Sequence, residues 1–232
     1  MSKSDDAIQF IKNNKRELIK KFADPEIYLT VQNPAAFFMA GSPGAGKTEY
    51  SKAFIKELCA RDDTRRIVRI DADEVRDYLP QYDKTNASEM QRAAILGVNK
   101  ILDYVFDKDI DFLLDSTFSK YDYAKKDIEI CIKHKRKIAI IYIYQDPLVA
   151  WDFTKKREKL EGRPIPKDFF IKSFFEAIDT VNKINKEFRQ VQVTILKRNI
   201  QQGIEKADIN VDNVDKYLNL GYTADSLNSR LG

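Results

Sequence analysis

The segment Phe37-Phe38-Met39-Ala40-Gly41-Ser42-Pro43-Gly44-Ala45-Gly46-Lys47-Thr48 limits what this chain can fold into more than any other stretch. Four residues separate Gly41 from Gly46-Lys47-Thr48, which fits G-x-x-x-x-G-K-S/T, and the apolar run Ala35 to Ala40 before it reads as a buried strand. A loop that wraps phosphates must aim successive backbone N–H groups inward, and glycines at 41, 44 and 46 permit that path. Lys47 is then placed to reach the β- and γ-phosphates of a nucleoside triphosphate. Thr48 offers its hydroxyl to a magnesium ion, and the helix that begins there turns its positive end toward the anion. The expected nucleotide-binding set is Gly41, Ser42, Pro43, Gly44, Ala45, Gly46, Lys47, Thr48 and Glu49.

A phosphate loop between strand and helix calls for an α/β chain, and the rest of the sequence supplies one. Strands are predicted at 35–40, 66–70, 111–115, 137–144 and 191–196, with helical patterns at 49–60, 73–79, 87–107, 121–134, 147–161 and 167–189 between them. That alternation predicts a five-stranded, mainly parallel sheet with helices on both faces. With 232 residues, 43% of them hydrophobic, the chain can bury one sizeable core, so residues 1–232 are expected to form a single domain. Its parts are an N-terminal helix at 4–22, a core over about 30–197 and a helical tail at 198–232, where Tyr217, Leu218, Leu220 and Leu227 suggest short packed helices.

Charge and cysteine content remove several other classes. A net charge of +4 from 40 basic and 36 acidic residues suits anionic small molecules without demanding nucleic acid. Cys59 and Cys131 both lie in helical stretches, which indicates neither a disulfide framework nor a zinc site. The longest apolar run, Ile138 to Tyr144, is too short to span a bilayer, and the N-terminus lacks an export signal's apolar core. The expectation is a cytoplasmic protein with no membrane partner.

In open parallel sheets ligands bind beyond the carboxyl ends of the strands, and three of those ends are chemically loaded. The second reads Ile70-Asp71-Ala72-Asp73-Glu74-Val75-Arg76, the third Asp115-Ser116-Thr117-Phe118 and the fourth Tyr144-Gln145-Asp146-Pro147. Acids there can hold metal-bound water or accept a proton from a hydroxyl nucleophile. Asp71 and Asp73 also read as a helix N-cap and first-turn acid, and Asp115 as a strand-end acid. Arg157, late in a helix, and Arg163, between Gly162 and Pro164, are candidate cations for the moving γ-phosphoryl group, with Arg163 on a lid. The run Lys133 to Lys137 reads instead as structural, complementing a helix C-terminus.

The order GSPGAGKT, IDADEVRDYLPQYD, LLDSTFS and REKLEGRPIP resembles the zeta toxin family of P-loop kinases over roughly residues 30–190, and the D-x-D-x-x-R-x-x-x-P element from Asp71 to Pro80 is much more specific than the phosphate loop alone. The resemblance implies a three-layer P-loop kinase fold and transfer of the γ-phosphoryl group of ATP to the 3′-OH of a UDP-activated amino sugar, UDP-N-acetylglucosamine or a relative. It further implies a toxin that blocks cell-wall precursor synthesis, with a cognate antitoxin protein as partner. By position it makes Asp73 the base, Lys47, Arg157 and Arg163 the other catalytic groups, and Asp73, Arg76, Asn99, Asp115 and Thr117 the substrate pocket. Magnesium falls to Thr48, with Asp115 acting through water. Three positions depart from the family: Asn99 and Asp115 each replace a glutamate, and Ser119 replaces an arginine. These changes leave the identity of the acceptor sugar open.

Rival readings differ in class. A GTPase requires N-K-x-D and D-x-x-G elements, and the sequence has neither. A polynucleotide 5′-OH kinase shares the loop and the acid after the second strand, but adds a basic, aromatic-rich track that composition does not show. A nucleotide-binding interaction module without turnover has no need of Lys47, Asp73 and the arginine pair together.

Overall fold

Alternation along Ala35–Ala40 decides the middle of the molecule. In the computed structural model, which describes all residues except 1, 63, 162–163, 200–202 and 219–220, this segment is strand β1. Ala36, Phe38 and Ala40 enter one buried cluster while Met39 enters another with Phe37 packed against it, so β1 has core on both faces.

The other strands are β2 (Val68–Asp71), β3 (Phe112–Asp115), β4 (Lys137–Tyr144), β5 (Val191–Asn199) and β6 (Gly203–Ile209). They hydrogen-bond in the order β2-β3-β1-β4-β5-β6, parallel throughout except for the antiparallel β5–β6 pair. The sheet thus has six strands where five were expected, and the tail that was expected to be helical from residue 198 opens as strand. The charged residues of Gly203–Ile209, GIEKADI, hide its alternation. Charge is what an edge strand carries to discourage further pairing.

One face of the sheet packs on α3 (Lys47–Arg61), through Tyr50, Phe54, Ile55 and Leu58 against Met39, Leu113, Ile141 and Ile143. The other cluster gathers residues of α1 (Lys3–Asn13), α2 (Lys15–Phe22), α5 (Ala87–Asp107), α6 (Tyr121–Lys133) and α8 (Lys167–Glu187). The remaining helices are α4 (Ala72–Asp77), α7 (Pro147–Glu161) and α9 (Ala224–Arg230).

The single N-terminal helix expected at 4–22 is two helices joined at Asn14. Its side-chain amide donates to the Phe10 carbonyl at 2.9 Å, satisfying the end of α1 locally instead of continuing the helix. The break lets Ile11 and Leu18 converge on Gly97 of α5, where an added Cβ would stand 3.3 Å from Ile11. In the basic run, Arg136 is buried and donates to the carbonyls of Ile110 and Val105 at 2.7 and 2.6 Å, closing the end of α5.

Candidate active site

The loop between β1 and α3 is shaped from outside. Gly44 has φ +74°, and a Cβ added there would lie 2.1 Å from the carbonyl oxygen of Ala150 on α7, so only glycine fits both the backbone turn and the contact. Helix α3 starts at Lys47 with Gly46 as an N-cap that supplies no side-chain acceptor, which leaves first-turn N–H groups available to an anion. Lys47 Nζ donates to the carbonyls of Gly41 and Ser42 at 3.0 and 2.7 Å. Burial pushes its ammonium down to about 8; Asp115 opposes the fall, Arg157 deepens it, and Asp71 and Asp73 oppose it. These four groups therefore lie within electrostatic reach of the loop lysine. Glu49 is exposed in the first turn of α3, and Thr48 is half-buried beside Lys47.

Parallel pairing sets Asp71 and Asp115 side by side at the ends of β2 and β3. Arg69 lies two residues before Asp71 and so on the same face of β2, and its guanidinium joins both carboxylates. It also donates to Ser51 Oγ on α3 at 2.8 Å and stands 2.7 Å from Glu74 on α4. Ser51 donates to Asp115 at 3.0 Å. Burial, then the charges of Asp115 and Asp73, hold the Asp71 carboxyl above its ordinary range. Asp71 caps α4 by accepting from the Asp73 backbone N–H at 2.8 Å, which fixes where Asp73 begins its turn.

Asp73 differs from its neighbours in being more exposed. Its side chain is 37% exposed against 11% for Asp71 and 5% for Asp115. Buried Arg76 donates to Asp73 Oδ1 at 2.8 Å, and its other terminal nitrogen donates to Gln91 Oε1 of α5 at 2.5 Å. The backbone carbonyl of Thr117 accepts from Gly41 N–H at 3.1 Å, so Thr117 joins the start of the phosphate loop, and its hydroxyl meets that of Ser119 at 2.9 Å. Phe118 between them holds φ +55°, a conformation uncommon for a bulky residue and packed in place against Phe38.

Asn99 is exposed on α5, two residues beyond Gly97, where a Cβ would stand 2.5 Å from Val75 of α4, and among the described residues no hydrogen bond joins it to this cluster. Arg157 is exposed on α7, and its charge reaches Lys47. Arg163 lies outside the described residues. Sequence reasoning passed over Arg69, Ser51 and Gln91. The period-two spacing of Arg69 and Asp71 is the signal that finds the first; Ser51 and Gln91 are placed only by helix packing.

Magnesium fits this arrangement in one specific way. Among the described residues no group of three or more His, Cys, Asp or Glu side chains forms a metal cage. Mg²⁺ bound through one hydroxyl, phosphates and waters needs no cage. Thr48 would supply the hydroxyl, and Asp115, held by Ser51 and Arg69 on one oxygen, would have the other for a metal-bound water.

A phosphate loop opening a helix, flanked by carboxylates on the next strand ends, defines a P-loop kinase. The zeta toxin family model matches residues 20–209, and the chain belongs to the zeta toxin family, whose members are ATP-binding P-loop phosphotransferases. Solved structures agree on the fold. A chain of the PezAT chromosomal toxin-antitoxin system of Streptococcus pneumoniae superposes with a TM-score of 0.67 at 18% identity, covering 95% of this chain and 86% of that one. A chain of the AvrRxo1-ORF1:-ORF2 complex with ATP gives 0.61 at 9% identity, covering 96% and 76%. A chain of the Pnkp1/Rnl/Hen1 RNA repair complex gives 0.50 at 18%, covering 66% and 47%. No curated protein matches the chain in sequence.

Proposed function

We propose that the protein transfers the γ-phosphoryl group of ATP to the 3′-OH of a UDP-activated amino sugar, with Asp73 as the base. The observation that carries this reading is the contrast among the three strand-end carboxylates. Asp71 and Asp115 are buried and tied to Arg69, whereas Asp73 is partly exposed, bonded to Arg76 and anchored through its backbone to Asp71. An acceptor hydroxyl beside Asp73 gives up its proton to the carboxylate as its oxygen forms a bond to the γ-phosphorus and the bond to the β-phosphate oxygen breaks, releasing ADP. Lys47 leaves the carbonyls of Gly41 and Ser42 for the β- and γ-phosphates, and Arg157 and Arg163 balance charge on the transferring group. Mg²⁺, when bound, neutralises the phosphate oxygens.

We assign Thr117 and Arg76 to the acceptor pocket, Thr117 through its hydroxyl and Arg76 by holding Asp73 and Gln91 in place. Gln91, which accepts from Arg76, joins Asn99 as a residue proposed to set selectivity for the sugar. Membership of the zeta toxin family supports a toxin that depletes a cell-wall precursor and is held in check by an antitoxin protein.

The test incubates the protein and ATP·Mg with UDP-N-acetylglucosamine, UDP-glucose, UDP-N-acetylgalactosamine and a 5′-hydroxyl RNA, using wild type and Asp73→Asn. Phosphorylation of a UDP-amino sugar that Asp73→Asn abolishes is the expected result. Labelling of the RNA alone moves the assignment to a polynucleotide kinase, and Asp73→Asn turning over at the wild-type rate removes Asp73 as base.

A further inference from the structure

One charged residue outside the sites described so far touches the phosphate loop. Arg198 is half-buried at the carboxyl end of β5, and its Nη1 donates to the backbone carbonyl of Ala45 at 3.2 Å. A Cβ built on Gly46 would stand 1.3 Å from that same nitrogen, so the guanidinium lies flush against the loop where any larger residue would have its side chain. The pairing of β5 with β6 shifts register between Lys197 and Arg198. Such irregularities re-aim a side chain near functional sites.

Strand order says which part of ATP this arginine meets. Asp71, Asp73 and Asp115 stand at the ends of β2 and β3, on one side of β1, so the γ-phosphate must face that side to reach an acceptor there. The triphosphate is linear and held at its middle by the loop, so its nucleoside end runs the opposite way, over β4 toward β5. Arg198 is there. It contacts a carbonyl of the loop, and carbonyls turn away from a cradle whose N–H groups point inward, so Arg198 is outside the phosphate site itself.

We propose that Arg198 is the docking residue for the nucleoside end of ATP, its guanidinium plane stacking on the base while the bond to Ala45 holds it flat. Guanidinium faces stack on aromatic rings in a way that a lysine ammonium does not reproduce. The inference rests on ATP being the donor bound at this loop.

Calorimetric titration of ATP and of inorganic tripolyphosphate into wild type, Arg198→Ala and Arg198→Lys tests it. Arg198→Ala is expected to bind ATP about tenfold more weakly, the loss of one base stack, and tripolyphosphate as wild type does. Arg198→Lys keeps the stem and the charge and is expected to match Arg198→Ala. Equal weakening of both ligands makes Arg198 a phosphate contact or a brace for the loop, and full rescue by lysine makes it a charge contact; either overturns the proposal, as does unchanged ATP binding. Wild type that binds tripolyphosphate but not ATP instead overturns the donor reading on which the inference stands.

Discussion

At the scale of single residues, the phosphate loop separates function from stability. Burial lowers the Lys47 ammonium from 10.5 to about 8, so below that pH the folded protein carries a charge it disfavours. Lys47→Ala is therefore expected to cut phosphoryl transfer by about 10²-fold or more while leaving the melting temperature at pH 7 equal to wild type or above it. The cost of the charged lysine is present in full below about 8 and is relieved as pH rises toward 10.5, so any gap in melting temperature should narrow across that window. Melting curves at several pH values decide this; a variant less stable than wild type at pH 7 contradicts it. Gly44 behaves in the opposite way. Its positive φ and the 2.1 Å approach to the Ala150 carbonyl, a backbone atom that cannot rotate aside, set Gly44→Ala at a loss of about 2 kcal/mol or more, whereas Gly221→Ala, with nothing within 4 Å, should cost little. Paired urea denaturation of the two variants measures the difference.

Elements differ in how plainly the sequence announces them. Helices 87–107 and 147–161 were expected at the bounds the structure has, and β1 and β4 likewise, because unbroken apolar runs announce the two strands, amphipathic spacing the first helix and Pro147 the start of the second. Strand β6 was missed since an edge strand needs charge more than alternation, and the break at Asn14 since a side chain bonding back four residues leaves no mark on hydrophobic spacing. The candidate site was legible where spacing is local, as in the phosphate loop and the Asp71 to Arg76 turn. It was not legible where two elements meet. Packing of α5 on α4 sets Gln91 beside Arg76, a contact that no local spacing announces. Packing also creates a liability in α6. Burial pushes the Asp127 carboxyl up to about 6, only slightly offset by Lys126, and no hydrogen bond to it is found among the described residues. The folded state thus favours the protonated acid, and the cost of its charge is present above about 6 and relieved as pH falls toward 3.8. Asp127→Asn should stabilise the protein by about 1 kcal/mol at pH 7 and by much less at pH 4, read from urea midpoints at both pH values.

On the scale of the whole molecule, the C-terminal segment ties together the two helices that flank the segment bearing Arg163. Tyr222 donates to Asp146 Oδ2 at 2.6 Å, and Asp146 in turn accepts from the Leu148 N–H at the start of α7. Trp151 of α7 donates to the Gly232 carbonyl at 3.2 Å, while Lys167 at the start of α8 donates to the carbonyls of Leu231 and Asn228 at 3.1 and 3.2 Å. Leu227 of α9 is fully buried in the cluster that also holds Trp151, Phe170 and Phe174. A helix of seven residues cannot persist without such packing, so α9 should unfold with the sheet rather than before it. Leu227→Ala is then expected to lower global stability by about 2–4 kcal/mol in one cooperative transition. The functional consequence follows from what α7 carries. If the segment fixes α7, and with it Arg157 within electrostatic reach of Lys47, the proposed role of Arg157 has loosening weaken an interaction made with the transferring phosphoryl group more than one made with bound ATP. At a temperature where the variant remains folded, Leu227→Ala should reduce turnover several-fold while leaving the dissociation constant for ATP near that of wild type. A variant that melts early but turns over at the wild-type rate would show that the C-terminal segment adds stability alone and leaves the placement of Arg157 to α7 itself.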